Sequence, residues 1–502
     1  MRIAGGAVMV CGTASDVGKT SVVAGLCRVL ARRGLRVAPF KAQNMALNSY
    51  VTPSGDEIGR AQGVQALAAG IEPEAAMNPI LLKPTGERTS QLVVLGRPVG
   101  HLDAAAYAEE KVRLWPLVLE TLAGLRARFD AVVVEGAGSA AEINLLDADL
   151  VNLRLAAAAG IPAIVVGDID RGGVFASLYG TVALLPDELR GRVRGFVINK
   201  LRGDPALLGT GPTELARRSG VPTLGVLPWA VGLDLDAEDS LALPPAAPAA
   251  LATATPESPG STVDVAVIRF PRIANFTDAD ALAVEPAVRV RFVEEVGSLG
   301  RPDLVVLPGT KSTVADLDWL RGRGLARAIE GSGAAVLGVC GGYQMMGRTI
   351  VDDVESGRGR VDGLGWLDAV TTFAPTKLTR QRRGRALGQR VCGYQICHGR
   401  VAAADGWIEL DDTYGLEPEG ARAGRCAGTS LHGLLEEDGF RTAFLGTVVA
   451  GFAASGTSFA AARELRLDRL ADLLEGHLDL EAVLELLAES SLPVASPEVA
   501  AR

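Results

Sequence analysis

The stretch Cys11-Gly-Thr-Ala-Ser-Asp-Val-Gly-Lys-Thr20 decides the fold of the first half of the chain. It follows an apolar run, Ala7–Cys11, and leads into a helical pattern, so it occupies a strand–turn–helix. Backbone N–H groups of such a turn, with the helix N-terminus, bind phosphate oxygens. Lys19 is placed to reach the β- and γ-phosphates of ATP, and the Thr20 hydroxyl to hold magnesium. Gly12, Thr13, Asp16, Gly18 and Ser21 complete the expected loop. The spacing departs from the common G-x4-GK[ST] pattern, since Thr stands at position 13 and Gly12 one residue further back. No G-x-G-x-x-G occurs here, which disfavours a dinucleotide site.

Outward from this loop, Val/Ile-rich runs alternate with helical patterns, as in a parallel α/β sheet. The expected strands are Ala7–Cys11, Arg36–Phe40, Ala131–Glu135, Ala163–Asp168, Gly195–Asn199 and Thr223–Leu227. Ligands gather at the carboxyl ends of such strands. Glu135, in Val-Val-Val-Glu-Gly-Ala-Gly, stands at one of these ends, where an acid can hold magnesium. Lys41 follows the second strand and can offset charge developing on a transferred phosphoryl group. Glu57 is a further acid assigned to the metal.

From Leu241 to Thr262 the chain is rich in Pro, Ala and Ser and reads as a linker between a first domain, 1–240, and a second, 263–455. Strand patterns restart at Val263–Arg269, Leu304–Leu307 and Ala335–Val339. The stretch Val351–Arg390, rich in Arg, Gly and Thr, is expected to be irregular or insert-like. Residues 456–502 form a C-terminal helical segment, with charges and leucines at helical spacing over Ser458–Leu487, expected to pack on the second domain. The fold class is therefore α/β with two domains, as 502 residues exceed one hydrophobic core.

In the second domain, Gly338-Val-Cys340-Gly-Gly342 carries a cysteine on a tight strand-to-helix turn between small neighbours. A helix N-terminus is expected to lower the thiol pKa. Such a nucleophile needs a base, and the chain has four histidines. His432, in Gly428-Thr-Ser-Leu-His-Gly-Leu434, is favoured over His398. An oxyanion hole is expected from the Gly341 amide and one from Leu307-Pro-Gly309-Thr-Lys311.

Composition limits the rest. A net charge of −9 argues against a nucleic-acid partner. No apolar run is long enough to span a bilayer, and Met1–Cys11 reads as a buried strand, not a signal peptide. Six cysteines at irregular spacing suggest neither a disulfide framework nor a zinc site, and the expected compartment is the cytoplasm. Oligomeric state is not legible.

The phosphate loop resembles that of the dethiobiotin synthetase superfamily, whose members use ATP to activate a carboxylate; partitioning ATPases carry an extra lysine absent between Cys11 and Gly18. Asn199-Lys200 resembles that superfamily's adenine-reading position. The second domain resembles the triad glutamine amidotransferases, but Leu434 stands where their third member, a Glu two residues after the His, is usual. Glu436 and Glu437 have the wrong spacing, which leaves another orienting group or a dyad open.

Ordered blocks along the whole chain resemble the cobyric acid synthase family: Phe40–Met45, Glu57–Gln62, Met77–Pro84, Asp168–Phe175, Phe196–Lys200, Pro271–Asp278, Leu307–Thr313 and Val339–Tyr343. Gly393-Tyr-Gln-Ile-Cys-His398 departs from the family's Gly-Tyr-Glu-Ile-His. The resemblance implies amidation of the b, d, e and g carboxylates of adenosylcobyrinic acid a,c-diamide, one ATP and one glutamine each, using ATP and Mg2+ with no permanently bound cofactor. Because free ammonia would be protonated and lost in water, a shielded path between the sites is expected. Gln43, Asn44, Asn48, Asp170 and Arg171 are candidates to frame the corrinoid. Two rivals remain: a cobyrinic acid a,c-diamide synthase, and a nucleotide-switched scaffold with a dead amidotransferase domain.

Overall fold

The computed structural model describes residues 3–86, 88–230, 232–233, 262–413 and 415–491. Two compact units result, both α/β. The first comprises Met1–Met45, Ile58–Asp236 and Glu464–Arg502, and the second Ala46–Glu57 and Ala237–Arg463. Of the expected linker 241–262, all but Thr262 lies outside the described residues.

The first unit's main sheet has six strands: β1 (Gly6–Gly12), β2 (Val37–Phe40), β3 (Ala131–Glu135), β4 (Ala163–Asp168), β5 (Val193–Leu201) and β6 (Thr223–Pro228). Their order across the sheet is β6-β5-β4-β1-β3-β2, and every pairing is parallel. A parallel sheet is buried on both faces, which explains the unbroken apolar runs. Along β1, Ala7, Met9 and Cys11 enter one core cluster while Val8 and Val10 enter another. The order reverses beside β1, so the loop after it opens at a switch point, where such sheets bind ligands.

The C-terminal helices correct the sequence reading. Helix α3 (Phe459–His477) delivers Leu467, Leu470 and Leu474 to the first unit's core, and α4 (Leu480–Glu489) adds Val483, Leu486 and Leu487. They join Val22, Leu26 and Val29 of helix α1 (Lys19–Arg32) there. Arg28 and Arg32 answer Asp468 at 2.8 Å each, and Ser490 Oγ donates to the carbonyl of Ala7 at 2.8 Å. Each buried leucine stabilises by about 1.5–3 kcal/mol, far more than the exposed ion pairs. Helical spacing of leucines shows that a face is buried but not which core receives it.

The second unit has a sheet of order β8-β7-β9-β10-β14-β13. Its strands are β7 (Val263–Ile268), β8 (Val288–Val293), β9 (Leu304–Leu307), β10 (Ala335–Val339), β13 (Ala421–Ala423) and β14 (Cys426–Thr429). Only the β13–β14 pair is antiparallel. Between β10 and β13 the chain forms a long hairpin of β11 (Ala369–Ala386) and β12 (Gln389–Ala403). The stretch expected to be irregular is thus largely regular strand. Exposed Arg383 and Arg385 alternate with buried Arg382, Gly384 and Ala386, and the charged and small residues on the inward side masked the period. No described helix is long and apolar enough to cross a membrane.

Candidate active sites

In the first unit the loop after β1 wraps Lys19, whose ammonium donates to the carbonyls of Ala14 at 2.8 Å and Gly138 at 3.1 Å. Gly18 has φ +98°, and a Cβ there would fall 2.2 Å from Asn199 Nδ2, so only glycine fits. The Thr13 amide donates to Val166 across the sheet, and Asp16 also takes a positive φ of 57°. These contacts hold the loop open above α1.

Glu135 ends β3 in register with Val10 of β1, which brings it beside the loop. Its Oε1 accepts from Thr20 Oγ1 at 2.9 Å and Lys41 Nζ at 3.0 Å, while Gln65 Nε2 donates to Oε2. Burial pushes this carboxyl upward, but the Lys41 charge and the three donors outweigh it and hold it below its ordinary range. Thr20 and Glu135 together offer hard oxygen donors, the set that magnesium takes. Gln65 was missed in sequence because it lies mid-helix, three residues beyond the block that ends at Gln62.

Past Gly18 and Ser21 a cavity of about 160 Å3 continues along Asn199, Trp229, Leu473 and Leu474. Asn199 Nδ2 donates to the Val17 carbonyl at 2.8 Å, which ties this wall to the loop. The apolar side comes partly from α3, a contribution no sequence motif signals.

The residues assigned to the corrinoid scatter. Gln43 accepts from Tyr107, and Asn44 donates to Gln62 at 3.0 Å. Asp170 pairs with Arg202, and Arg171 lies 3.8 Å from Asp168, all at the exposed end of β4. Asn48 and Glu57 belong to the second unit. There the Glu57 carboxylate takes Ser49 Oγ at 2.8 Å and the Lys377 ammonium, which occupy it within that unit. The chain changes units between Met45 and Ile58.

In the second unit Cys340 stands between β10 and helix α2 (Gly341–Met346) with φ +51°. Such a conformation is strained for a non-glycine residue and marks a functional turn. Tight neighbours support it: a Cβ at Gly342 would lie 1.9 Å from the Leu307 carbonyl oxygen, and one at Gly341 3.0 Å from the Thr310 amide. The oxyanion loops expected at Gly309 and Gly341 are therefore side by side. The Gly341 amide donates toward the Cys340 sulfur. The adjacent Cys397 thiol and burial push Cys340 well above the ordinary thiol range, contrary to the expected lowering. A six-residue helix cannot offset those effects.

Strand β14 pairs with β10 through Val339 and Thr429, so His432 emerges beside the elbow, and the Cys340 amide donates to Thr429 at 2.8 Å. A Cβ on Gly309 would lie 2.8 Å from His432 Cε1. His432 is fully buried; its Nδ1 faces Asp278 Oδ2 at 2.7 Å, and the Gly433 amide donates to Asp278 Oδ1 at 2.6 Å. With Asp278 accepting, the ring proton sits on Nδ1, and Nε2, which has no partner among the described residues, presents its lone pair. The rival His398 turns Nδ1 to the Ala374 carbonyl at 3.0 Å.

Asp278 is the orienting group that sequence reasoning left unidentified. The acid comes from before the elbow, at the end of the block Pro271–Asp278, not from after the histidine. Leu434 packs in the core, and Glu436 pairs with Arg463 at 3.1 Å, so neither serves. An acid closing an unassigned block in a domain short of one was the available signal.

Two family models match the chain, one over each half. Residues 8–242 match the CobQ/CobB/MinD/ParA nucleotide binding domain, and residues 264–440 the CobB/CobQ-like glutamine amidotransferase domain. The chain is similar to the cobyric acid synthase of Frankia casuarinae, 54% identical over 98% of this chain and 99% of that protein. It is likewise similar to those of Rhodococcus jostii, 53% identical over 99% and 98%, and Saccharopolyspora erythraea, 52% over 99% and 98%.

Proposed function

Because the chain belongs to the cobyric acid synthase family, an ATP-dependent, glutamine-using group of amide-forming enzymes of cobalamin synthesis, we propose the following chemistry for its two sites. The substrates are ATP, glutamine and adenosylcobyrinic acid a,c-diamide, amidated at its b, d, e and g carboxylates. In the second unit, Cys340 Sγ attacks the glutamine carboxamide while His432 Nε2 takes the thiol proton. The Gly309 and Gly341 region stabilises the oxyanion, and the proton passes to the departing ammonia. Water, deprotonated by His432, then cleaves the thioester to release glutamate. The observation that carries this reading is the buried Asp278–His432 pair with Nε2 unpartnered beside the elbow cysteine.

In the first unit, a corrin carboxylate oxygen attacks the γ-phosphate, ADP leaves, and ammonia displaces phosphate from the acyl phosphate. Lys19 and Lys41 offset charge on the transferring group. Magnesium, when bound, supplies charge neutralisation on the phosphates, with Thr20 and Glu135 to hold it. The cavity beside Asn199 and Trp229 has the apolar, one-sided polar character that suits an adenine base.

The deciding experiment is mass spectrometry of the corrinoid after incubation with ATP and glutamine. Four added amides are expected. No amidation of the a,c-diamide, with two amides added instead to the unamidated acid supplied in a parallel incubation, would assign the chain to the diamide-forming rival.

A further inference from the structure

Residues Ala46–Glu57 interrupt the first unit in sequence and yet fold with the second. Within the second unit, Ser49 is the centre of their contacts. Its amide donates to Asn275 Oδ1 at 2.7 Å, and its carbonyl accepts from the Tyr394 hydroxyl at 3.3 Å. Its own hydroxyl donates to Glu57 at 2.8 Å, and Glu57 is paired with the buried Lys377, which pins the segment's far end. Gln381 Nε2 holds the Val51 carbonyl at 2.9 Å, and Val51 packs with Tyr394 and Ile396.

The two residues that Ser49 grips flank the catalytic base. Asn275 has φ +51° and opens the short turn Phe276–Ala279 that carries Asp278. Left-handed backbone at Asn is held by contacts of its short side chain, so the Ser49 bond sets where this turn begins. Tyr394 stacks on the His432 ring with centroids 5.3 Å apart and planes at 25°. Its amide and carbonyl exchange 2.9 Å bonds with those of His432. One peptide segment therefore fixes both halves of the Asp278–His432 pair.

We propose that residues 46–57 are a positioning element of the glutamine site: through Ser49 they seat Asn275 and Tyr394, which align Asp278 and His432 for proton transfer. The proposal rests on the glutaminase reading of Cys340 and His432. It gives the segment a purpose beyond packing. Misalignment of a base by a fraction of an ångström costs turnover and leaves ground-state binding intact.

The test uses the full-length protein with three variants. Asn275→Gly keeps the positive φ but deletes the acceptor for the Ser49 amide. Asn275→Asp restores an acceptor. Tyr394→Phe keeps the stack on His432 but deletes the hydroxyl bond. Glutamate release is measured alongside thermal melting and ammonium-dependent corrin amidation, which bypasses the thiol. We expect Asn275→Gly and Tyr394→Phe each to lower glutaminase kcat about tenfold or more, with KM for glutamine within about twofold and Asn275→Asp recovering most of the loss. Unchanged kcat in both, or parallel loss of both activities with a fall in Tm, would overturn the proposal. Cys340→Ala run in parallel separates the two levels: if it still uses glutamine, the glutaminase reading itself fails, whereas its inactivity beside unaffected Asn275 and Tyr394 variants refutes the positioning role alone.

Discussion

Asparagine at position 278 is the sharpest perturbation of the glutamine site, because it changes one proton and almost no volume. The Asp278 carboxylate makes two short contacts, to His432 Nδ1 at 2.7 Å and to the Gly433 amide at 2.6 Å. In Asp278→Asn the side-chain carbonyl oxygen can still accept from Gly433, so the buried amide keeps a partner and the fold survives. The Nδ2 group then faces His432 Nδ1 and donates to it. Nδ1 becomes an acceptor, the ring proton moves to Nε2, and the atom that must take the thiol proton already carries one. Loss of charge removes imidazolium stabilisation as well. Wrong-tautomer variants of this kind lose about 10^3–10^4 in turnover, which at 1.36 kcal/mol per decade is roughly 4–5.5 kcal/mol of transition-state stabilisation. Asp278→Ala loses the same turnover and also leaves the Gly433 amide unsatisfied, costing about 1–3 kcal/mol of stability. The assay is glutamate release at saturating glutamine, with ammonium-dependent amidation as the control for folding. Glutaminase within about threefold of wild type in Asp278→Asn would show that Asp278 does not set the tautomer and that the histidine acts unaided.

Cys340→Ala or Cys340→Ser abolishes glutamine use but leaves amidation with an ammonium salt, read by corrinoid mass spectrometry. Lys19→Ala loses synthesis with either nitrogen source, since carboxylate activation precedes ammonia; normal amidation with ammonium would displace ATP from the loop. His432→Ala lowers glutaminase by orders of magnitude while Glu436→Gln keeps most of it, because Glu436 is committed to Arg463; equal losses would contradict the pairing. Lys41→Met leaves Glu135 buried without its cation and destabilises the first unit by about 3–5 kcal/mol in denaturant melts, and the double variant with Glu135→Leu recovers much of that. Since Glu135 is held below its ordinary range, its contribution is present at neutral pH and fades as pH falls through its folded pKa, so the Lys41→Met defect narrows in acid.

The first sheet was legible because its strands carry their own boundaries. A run such as Ala131–Glu135 is apolar on both faces and ends in Gly-Ala-Gly, and those features arise from burial in a parallel sheet. The elbow was legible for a similar reason: Cys340 needs small residues at 338, 341 and 342, and the sequence shows them. What escaped was partner choice. The leucines of α3 declare a buried face, but α1 and its arginines select the core that receives them. Glu57 and Asn48 follow a block that belongs to the nucleotide unit, and nothing in their spacing records that the chain crosses to the other. Asp278 escaped because an acid after the histidine was sought, while the contact that orients an imidazole depends on three-dimensional proximity and not on chain order.

Contact with Cys397 and burial push the Cys340 thiol up while Cys397 is drawn down in turn, so the two sulfurs share their protons. In the proposed glutaminase, His432 Nε2 takes the thiol proton as glutamine is attacked, so alignment of the base matters directly to ammonia release. A site arranged in this way has reason to secure its histidine from several sides. Asp278 fixes Nδ1, Tyr394 stacks on the ring and grips the backbone, and Gly309 leaves no room for a side chain against Cε1.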